Sequence, residues 1–244
     1  MTTPTRILSA VATAAGTSGP SGDAAYVHAL ADGTTAACVV DGIGHSPRIG
    51  ARATLLAEVG ARIGATRGPL HGLLSAAELI TDPGPADCPE EDAVAVAAVL
   101  HPSRGEVSVA WAGDCAAWSY DPATGTVTRL TTDQTMGAFL RQVHPGGPPA
   151  RAGHHDDWVR VSLARSSVAT VREAEATAQL VALLSDGAHK PLGDGQVEAL
   201  IRAAGRDRYR PQILADRILH AALGEAVQQP GDRDDATVVI LAAS

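Results

Sequence analysis

Residues 38–45 read CVVDGIGH, an apolar, β-branched run that breaks off at an aspartate and a glycine. Paired valines before Asp41 favour a strand, and Asp-Gly is a turn signal that ends one. The pattern returns twice. ALLSDG sets Asp186 at the end of an apolar run, and RDDATVVIL sets Asp234 and Asp235 at the mouth of the last one. One such pair is a common turn, but the recurrence is informative. Carboxylates at the ends of neighbouring strands converge at one rim of a sheet, where like charges raise the pKa of one group or demand a cation. Hard oxygen ligands favour magnesium or manganese over zinc. The glycines after Asp41 and Asp186 let a carbonyl or a ligand come close.

Working outward, the first 45 residues alternate β-like runs (ILSAVATA, AAYVHAL, TTAACVVDG) with turn clusters, which reads as two hairpin-linked strands. Residues 48–66 place Ile49, Ala53, Leu56, Val59 and Ile63 at helical spacing with arginines on the other face, an amphipathic helix. PLHGLLSAAELI, 69–80, reads as a second helix opened by Pro69, and 82–92 as a surface loop. Then AVAVAAVL, VSVAWAGD, CAAWSYD and TVTRLTTD form a β-meander. Residues 141–157, RQVHPGGPPARAGHHDD, lack periodicity and read as a long loop, either a lid or a disordered segment. QLVALLSDG is a strand ending in an acid. Helical stretches follow around 194–204 and 211–227, and ATVVILAAS is the last strand.

A chain of 244 residues lies within the range of one domain, and 1–244 is read as one. The apolar fraction is 45% but aromatics are only 3%, so Ala, Val and Leu must fill the core. Nineteen Lys and Arg against 27 Asp and Glu give a net charge of −8, with no basic run to neutralise successive phosphates; nucleic acid is not expected as a partner. Cys38, Cys88 and Cys115 lack CxxC spacing, which points away from zinc and disulfides and toward a reducing, cytoplasmic setting. No stretch suits a membrane span or a signal peptide.

VVDGIGH, VAWAGDCAAW, ALLSDG and RDDATVVIL, in that order from about residue 20 to the C-terminus, resemble the ordered motifs of the protein phosphatase 2C (PPM) family, including its bacterial serine/threonine phosphatases. The resemblance implies an α+β fold, a β-sandwich of two antiparallel sheets flanked by helices. It implies a metal-dependent hydrolase of phosphoserine and phosphothreonine in proteins. Asp41, Asp186 and Asp234 would bind a first Mn2+ or Mg2+ ion directly or through its waters. Asp41 and the Gly42 carbonyl would reach a second, and Asp114 with Asp186 would help hold a third, weaker ion. Asp23 matches the aspartate that bonds metal-bound water. Two metals would acidify a bridging water that attacks phosphorus, oriented by Asp23 or Asp186.

The chain also departs from the family. Gly22 stands where the family has an acid that ligates the second metal, and TSGPSGD lacks the phosphate-binding arginine, offering Ser18 and Ser21. DGIGHS places His45 where it would protonate a leaving alkoxide or, with Arg48, line the pocket; a structural loop histidine is the other reading. Asp235 replaces a frequent Asn and adds negative charge near the metals. HHDD, 154–157, reads as a solvated loop because adjacent side chains cannot easily face one ion, and its segment falls where the family carries a variable flap. Cys115 reads as a small buried residue, with oxidation beside a metal as the alternative. Trp111 and Trp118 read as core. Two other functions fit the departures: a phosphatase-like regulatory or binding module, and a phosphatase for a small metabolite.

Overall fold

The computed structural model describes residues 6–80, 91–102, 104–145, 152–205, 210–228 and 231–244. The described residues hold ten strands and several helices: β1 (Ile7–Ala14), β2 (Asp23–Ala29), β3 (Thr35–Gly42), α1 (Pro47–Arg67), α2 (Pro69–Ala77), β4 (Ala93–His101), β5 (Glu106–Ala112), β6 (Ala116–Asp121), β7 (Thr126–Arg129) and α3 (Met136–Val143). After a 3-10 turn at Leu163–Arg165 come β8 (Arg172–Thr177), β9 (Leu180–Leu184), α4 (Asp186–His189), α5 (Gly193–Ala204), α6 (Pro211–Ala226) and β10 (Ala236–Ala243).

The strands form two five-stranded sheets, one ordered β1-β10-β9-β6-β7 and the other β2-β3-β4-β5-β8. Every pairing is antiparallel. The expected sandwich is therefore present, with a helical layer on each outer face. Alternate side chains divide the strands between two cores. Ala37, Val39, Val96 and Val109 of one sheet meet Ala117, Leu183 and Val239 of the other between the layers. Cys38, Val40 and Ala95 point outward to Leu56 of α1 and Leu73 of α2, while Trp118, Leu184 and Ile240 point outward to Ile201 of α5 and Ile218 of α6. Strands buried on both faces need apolar residues at every position, which is why the central runs read as continuous and not alternating.

Small residues bring the helices close. A Cβ added at Gly60 would stand 2.8 Å from the Cys38 sulfur, and one at Gly72 would stand 2.3 Å from the Gly60 carbonyl oxygen. Ser46 caps α1 by accepting from the Ile49 amide at 3.2 Å, with Pro47 in its first turn.

Three expectations change. The first 45 residues hold three strands; β2 and β3 form a hairpin, but β1 pairs with β10 in the opposite sheet. The meander is broken in two: β4 and β5 belong to one sheet, β6 and β7 to the other. The chain crosses between them at Gly113, whose φ of +101° and 2.3 Å Cβ approach to Val94 exclude a side chain. Residues 141–157 are not a loop throughout, since α3 reaches Val143. The 82–92 loop falls largely outside the described residues, as does Cys88. Trp111 and Trp118 are core, as read, at 6% and 0% exposure. No helix among the described residues is long and apolar enough to cross a membrane.

Candidate metal centre

The aspartates singled out in the sequence come together at one end of the sandwich, and both sheets supply them. Asp23 opens β2 and is the direct cross-strand partner of Asp41 near the end of β3. Asp186 opens α4 just after β9, Asp234 and Asp235 precede β10, and Asp114 sits in the crossing from β5 to β6. The rim is thus a seam between two layers and not the edge of one sheet.

Ser185 stitches that seam. Its hydroxyl donates to Asp23 Oδ2 at 2.7 Å and accepts from the Thr237 amide at 2.9 Å. The Ser185 amide in turn donates to the Thr237 carbonyl at 3.0 Å. The other Asp23 oxygen, Oδ1, is buried without a partner, and so is Asp186 Oδ1. Burial pushes the Asp23 carboxyl up to about 7 against the pull of Ser185 and Thr237, with Asp186 and Asp235 adding to the rise. Asp41 goes well above its ordinary range for the same reason, helped by Asp186, Asp23 and Asp114. The carboxyls of Asp41 and Asp186 lie within hydrogen-bonding reach of each other. Without a bound cation, a proton on Asp41 is what lets the two sit together.

The Asp114 side is different, because a lysine enters it. Lys190 Nζ donates to Asp114 Oδ2 at 2.8 Å, Asp186 Oδ2 at 2.9 Å and Asp157 Oδ1 at 3.0 Å. Burial disfavours the Lys190 ammonium, but Asp186 and Asp114 more than offset this and hold it above its ordinary range. Burial likewise pushes Asp186 upward, and Lys190 reverses that, leaving it below the usual carboxylate range. Asp114 is more enclosed; burial carries it to about 6 in spite of Lys190. His189 next to Lys190 donates from Nε2 to the Asp114 carbonyl at 2.9 Å. The sequence reading missed Lys190 and Ser185. SDGAHK places Lys190 four residues after Asp186, a spacing that brings the two together on one helical turn.

Asp235 adds its charge to the rim, helping to raise Asp23 and Asp234, and it also fastens backbone. Its Oδ1 accepts from the Gly16 amide and its Oδ2 from the Gly22 amide, both at 2.6 Å, so it pins the loop that leads into β2. Gly22 is boxed in. A Cβ there would lie 3.0 Å from the Gly44 carbonyl oxygen and 3.1 Å from that of Gly42. Gly187 is more tightly constrained, since its Cβ would stand 2.1 Å from the Asp235 carbonyl oxygen.

Asp234 stays exposed, and its Oδ1 accepts from the Asp235 amide at 2.9 Å. Burial and the Asp186 charge raise its carboxyl, while His45 is near enough to lower it. His45 is exposed, and a Cβ added at Gly19 would stand 3.4 Å from its own Cβ. Arg48 is 73% exposed and its Nε pairs with Glu91 at 3.0 Å, so its guanidinium is bound to Glu91. The HHDD residues diverge as read: Asp156 bonds Arg141, Asp157 bonds Lys190, and the His155 ring lies against Trp158. Cys115 is buried and its thiol is pushed well up by burial and the neighbouring aspartates, which favours the inert reading over oxidation.

Asp157, Asp186, Lys190, Arg233 and Asp234 line a cleft of about 250 Å3 at this rim. Among the described residues, no set of three or more His, Cys, Asp or Glu side chains already stands arranged to hold one ion. The donors nevertheless suit a hard divalent cation on the Asp41, Asp186 and Asp23 side, where two carboxylate oxygens are buried and unpartnered.

No protein-family model and no curated protein matches the chain in sequence. Solved structures do. The serine/threonine phosphatase Stp1 from Staphylococcus aureus superposes with a TM-score of 0.74 at 15% identity, covering 99% of this chain and 97% of that one. The Mycobacterium tuberculosis serine/threonine phosphatase PstP/Ppp gives 0.68 at 17% identity over 97% and 98% of the two chains. The PPM Ser-Thr phosphatase MsPP from Mycobacterium smegmatis gives 0.69 at 18% identity over 96% and 97%. The chain has the protein phosphatase 2C-like fold over nearly its whole length.

Proposed function

We propose that the chain is a Mn2+- or Mg2+-dependent phosphatase that hydrolyses phosphoserine and phosphothreonine in proteins. The observation that carries this reading is the pair of buried, unpartnered carboxylate oxygens on Asp23 and Asp186, set beside Asp41 at the seam of a phosphatase fold. Asp41, Asp186 and Asp234 would hold a first ion, and Asp41 with the Gly42 carbonyl a second. When bound, the ions would supply an acidified water as nucleophile and neutralise charge on the phosphoryl group. Asp23 Oδ1 is the free acceptor to orient that water, because Ser185 already occupies Oδ2. Arg233, the cleft's other cation, gives one donor to the Ala15 carbonyl at 2.6 Å and is the candidate for the phosphate contact that the absent arginine before Asp23 would make. The buried free thiols of Cys38 and Cys115 suit a reducing, cytoplasmic setting.

A regulatory module with the phosphatase fold is the second reading. It is favoured by Gly22, which supplies no carboxylate and where a Cβ would crowd the Gly44 and Gly42 carbonyls at 3.0 and 3.1 Å. Hydrolysis of an aryl phosphate with and without Mn2+ separates the two. Metal-dependent turnover that disappears in Asp186→Asn is the expected result; no turnover in the folded wild type at any Mn2+ concentration would leave the module reading standing. Phosphopeptides assayed against small phosphorylated metabolites then define the substrate class.

A further inference from the structure

We infer that the Lys190 ammonium is a resident cation that takes the place of a metal between Asp114 and Asp186, so that the rim is built for one ion fewer than its aspartates suggest. The inference rests on the reading of the rim as a metal centre. An ammonium has three protons, and all three are accounted for by Asp114, Asp157 and Asp186 at 2.8 to 3.0 Å. Asp114 is 3% exposed at its side chain, and a carboxylate so enclosed needs a counter-charge in place.

The position of Lys190 is also fixed by the fold. Asp186 and Lys190 are four residues apart across α4, and His189 between them is buried and fastened to the Asp114 carbonyl at 2.9 Å. One short helix therefore grips Asp114 twice, by its backbone through His189 and by its carboxylate through Lys190. A divalent ion could enter between Asp114 and Asp186 only by displacing the ammonium from both carboxylates. By contrast, the unpartnered oxygens lie on Asp23 and Asp186 Oδ1, away from the Oδ2 that Lys190 holds. The same ammonium reaches Asp157, which lies in the segment read as a flap and is 90% exposed, so the internal cation also ties that segment to the rim.

Counting bound ions tests this directly. The full chain is titrated with Mn2+, and free metal is measured by its paramagnetic resonance signal. Lys190→Asp should bind one ion more than wild type, Lys190→Arg the same number, and adding Asp114→Asn to Lys190→Asp should remove the gain. An equal count in wild type and Lys190→Asp overturns the inference. Should Lys190→Asp fail to fold by circular dichroism, Asp114→Asn in the wild-type background decides: an unchanged count is expected, and loss of one ion would show that a metal displaces Lys190. The wild-type count reports separately on the metal centre. No ion in wild type with one in Lys190→Asp would sink the two-ion reading and still support the role of Lys190.

Discussion

The two halves of the acidic rim bury similar carboxylates and neutralise them by opposite means. Around Asp114 the counter-charge is covalently part of the chain, in Lys190. Around Asp41 and Asp23 none of the leading influences among the described residues is a cation, and burial drives both carboxyls upward. One half is finished by folding alone. Under the proposed function the other would be completed by an ion from solution, and the asymmetry separates the two halves better than the density of aspartates does.

The contrast can be broken most strongly at Asp41. Asp41→Asn should lower metal-dependent turnover by more than about a hundredfold, since even outer-shell changes at metal sites cost that much. The same variant should raise the melting temperature of the metal-free chain at neutral pH, because an amide sits beside Asp186 without having to take up a proton; a fall would contradict the picture. Lys190→Met should do the reverse to stability. Removing one partner of a buried pair costs about 3 kcal/mol at the lower end, appropriate to a lysine that is 25% exposed. At roughly 2 to 4 °C per kcal/mol for a chain of this size, calorimetry should show a drop of about 6 to 12 °C.

Ser185→Ala tests the seam itself. It strands Asp23 Oδ2 and the Thr237 amide, and denaturant unfolding should report a loss of about 2 kcal/mol. The smallest effect is graded with pH. Asp23 is raised to about 7 and Asp114 to about 6, so each keeps its proton in the folded chain where the unfolded chain has released it. The stability they confer is full below an ordinary aspartate pKa of about 3.9 and is lost as pH rises through the folded values. Melting temperatures of the metal-free protein should therefore decline from about pH 4 to about pH 7 by this contribution. Saturating Mn2+ favours the deprotonated carboxylates and should flatten that slope.

The central strands were legible because burial on both faces writes itself as uninterrupted Val, Ala and Leu, as in LVALL before Asp186. One edge strand and one short helix were not. REAEAT, the last strand of its sheet, puts charge on most outward positions and resembles a loop, and α3 is only eight residues long. Sheet assignment was also hidden, since β5 and β6 look like a hairpin until Gly113 sends the chain across. At the site, the identity of the acids was readable from their strand ends, but their partners were not. That Asp235 fastens Gly16 and Gly22 depends on contacts more than two hundred residues apart in the chain, and Lys190 approaches Asp114 across 76 positions.

Ser185 links an aspartate of one sheet to the backbone of the other, and the Thr237 hydroxyl lies 3.0 Å from that of Thr13 on the next strand. This polar chain runs crosswise through the end of an otherwise greasy stack, like a dowel through two boards. Sliding one layer over the other would pull on it at the Ser185 bond to Asp23, the link that crosses between the sheets. The deuterium uptake of the single Thr237 amide should consequently register any loosening of the rim, making it a gauge of when the two layers move as one body.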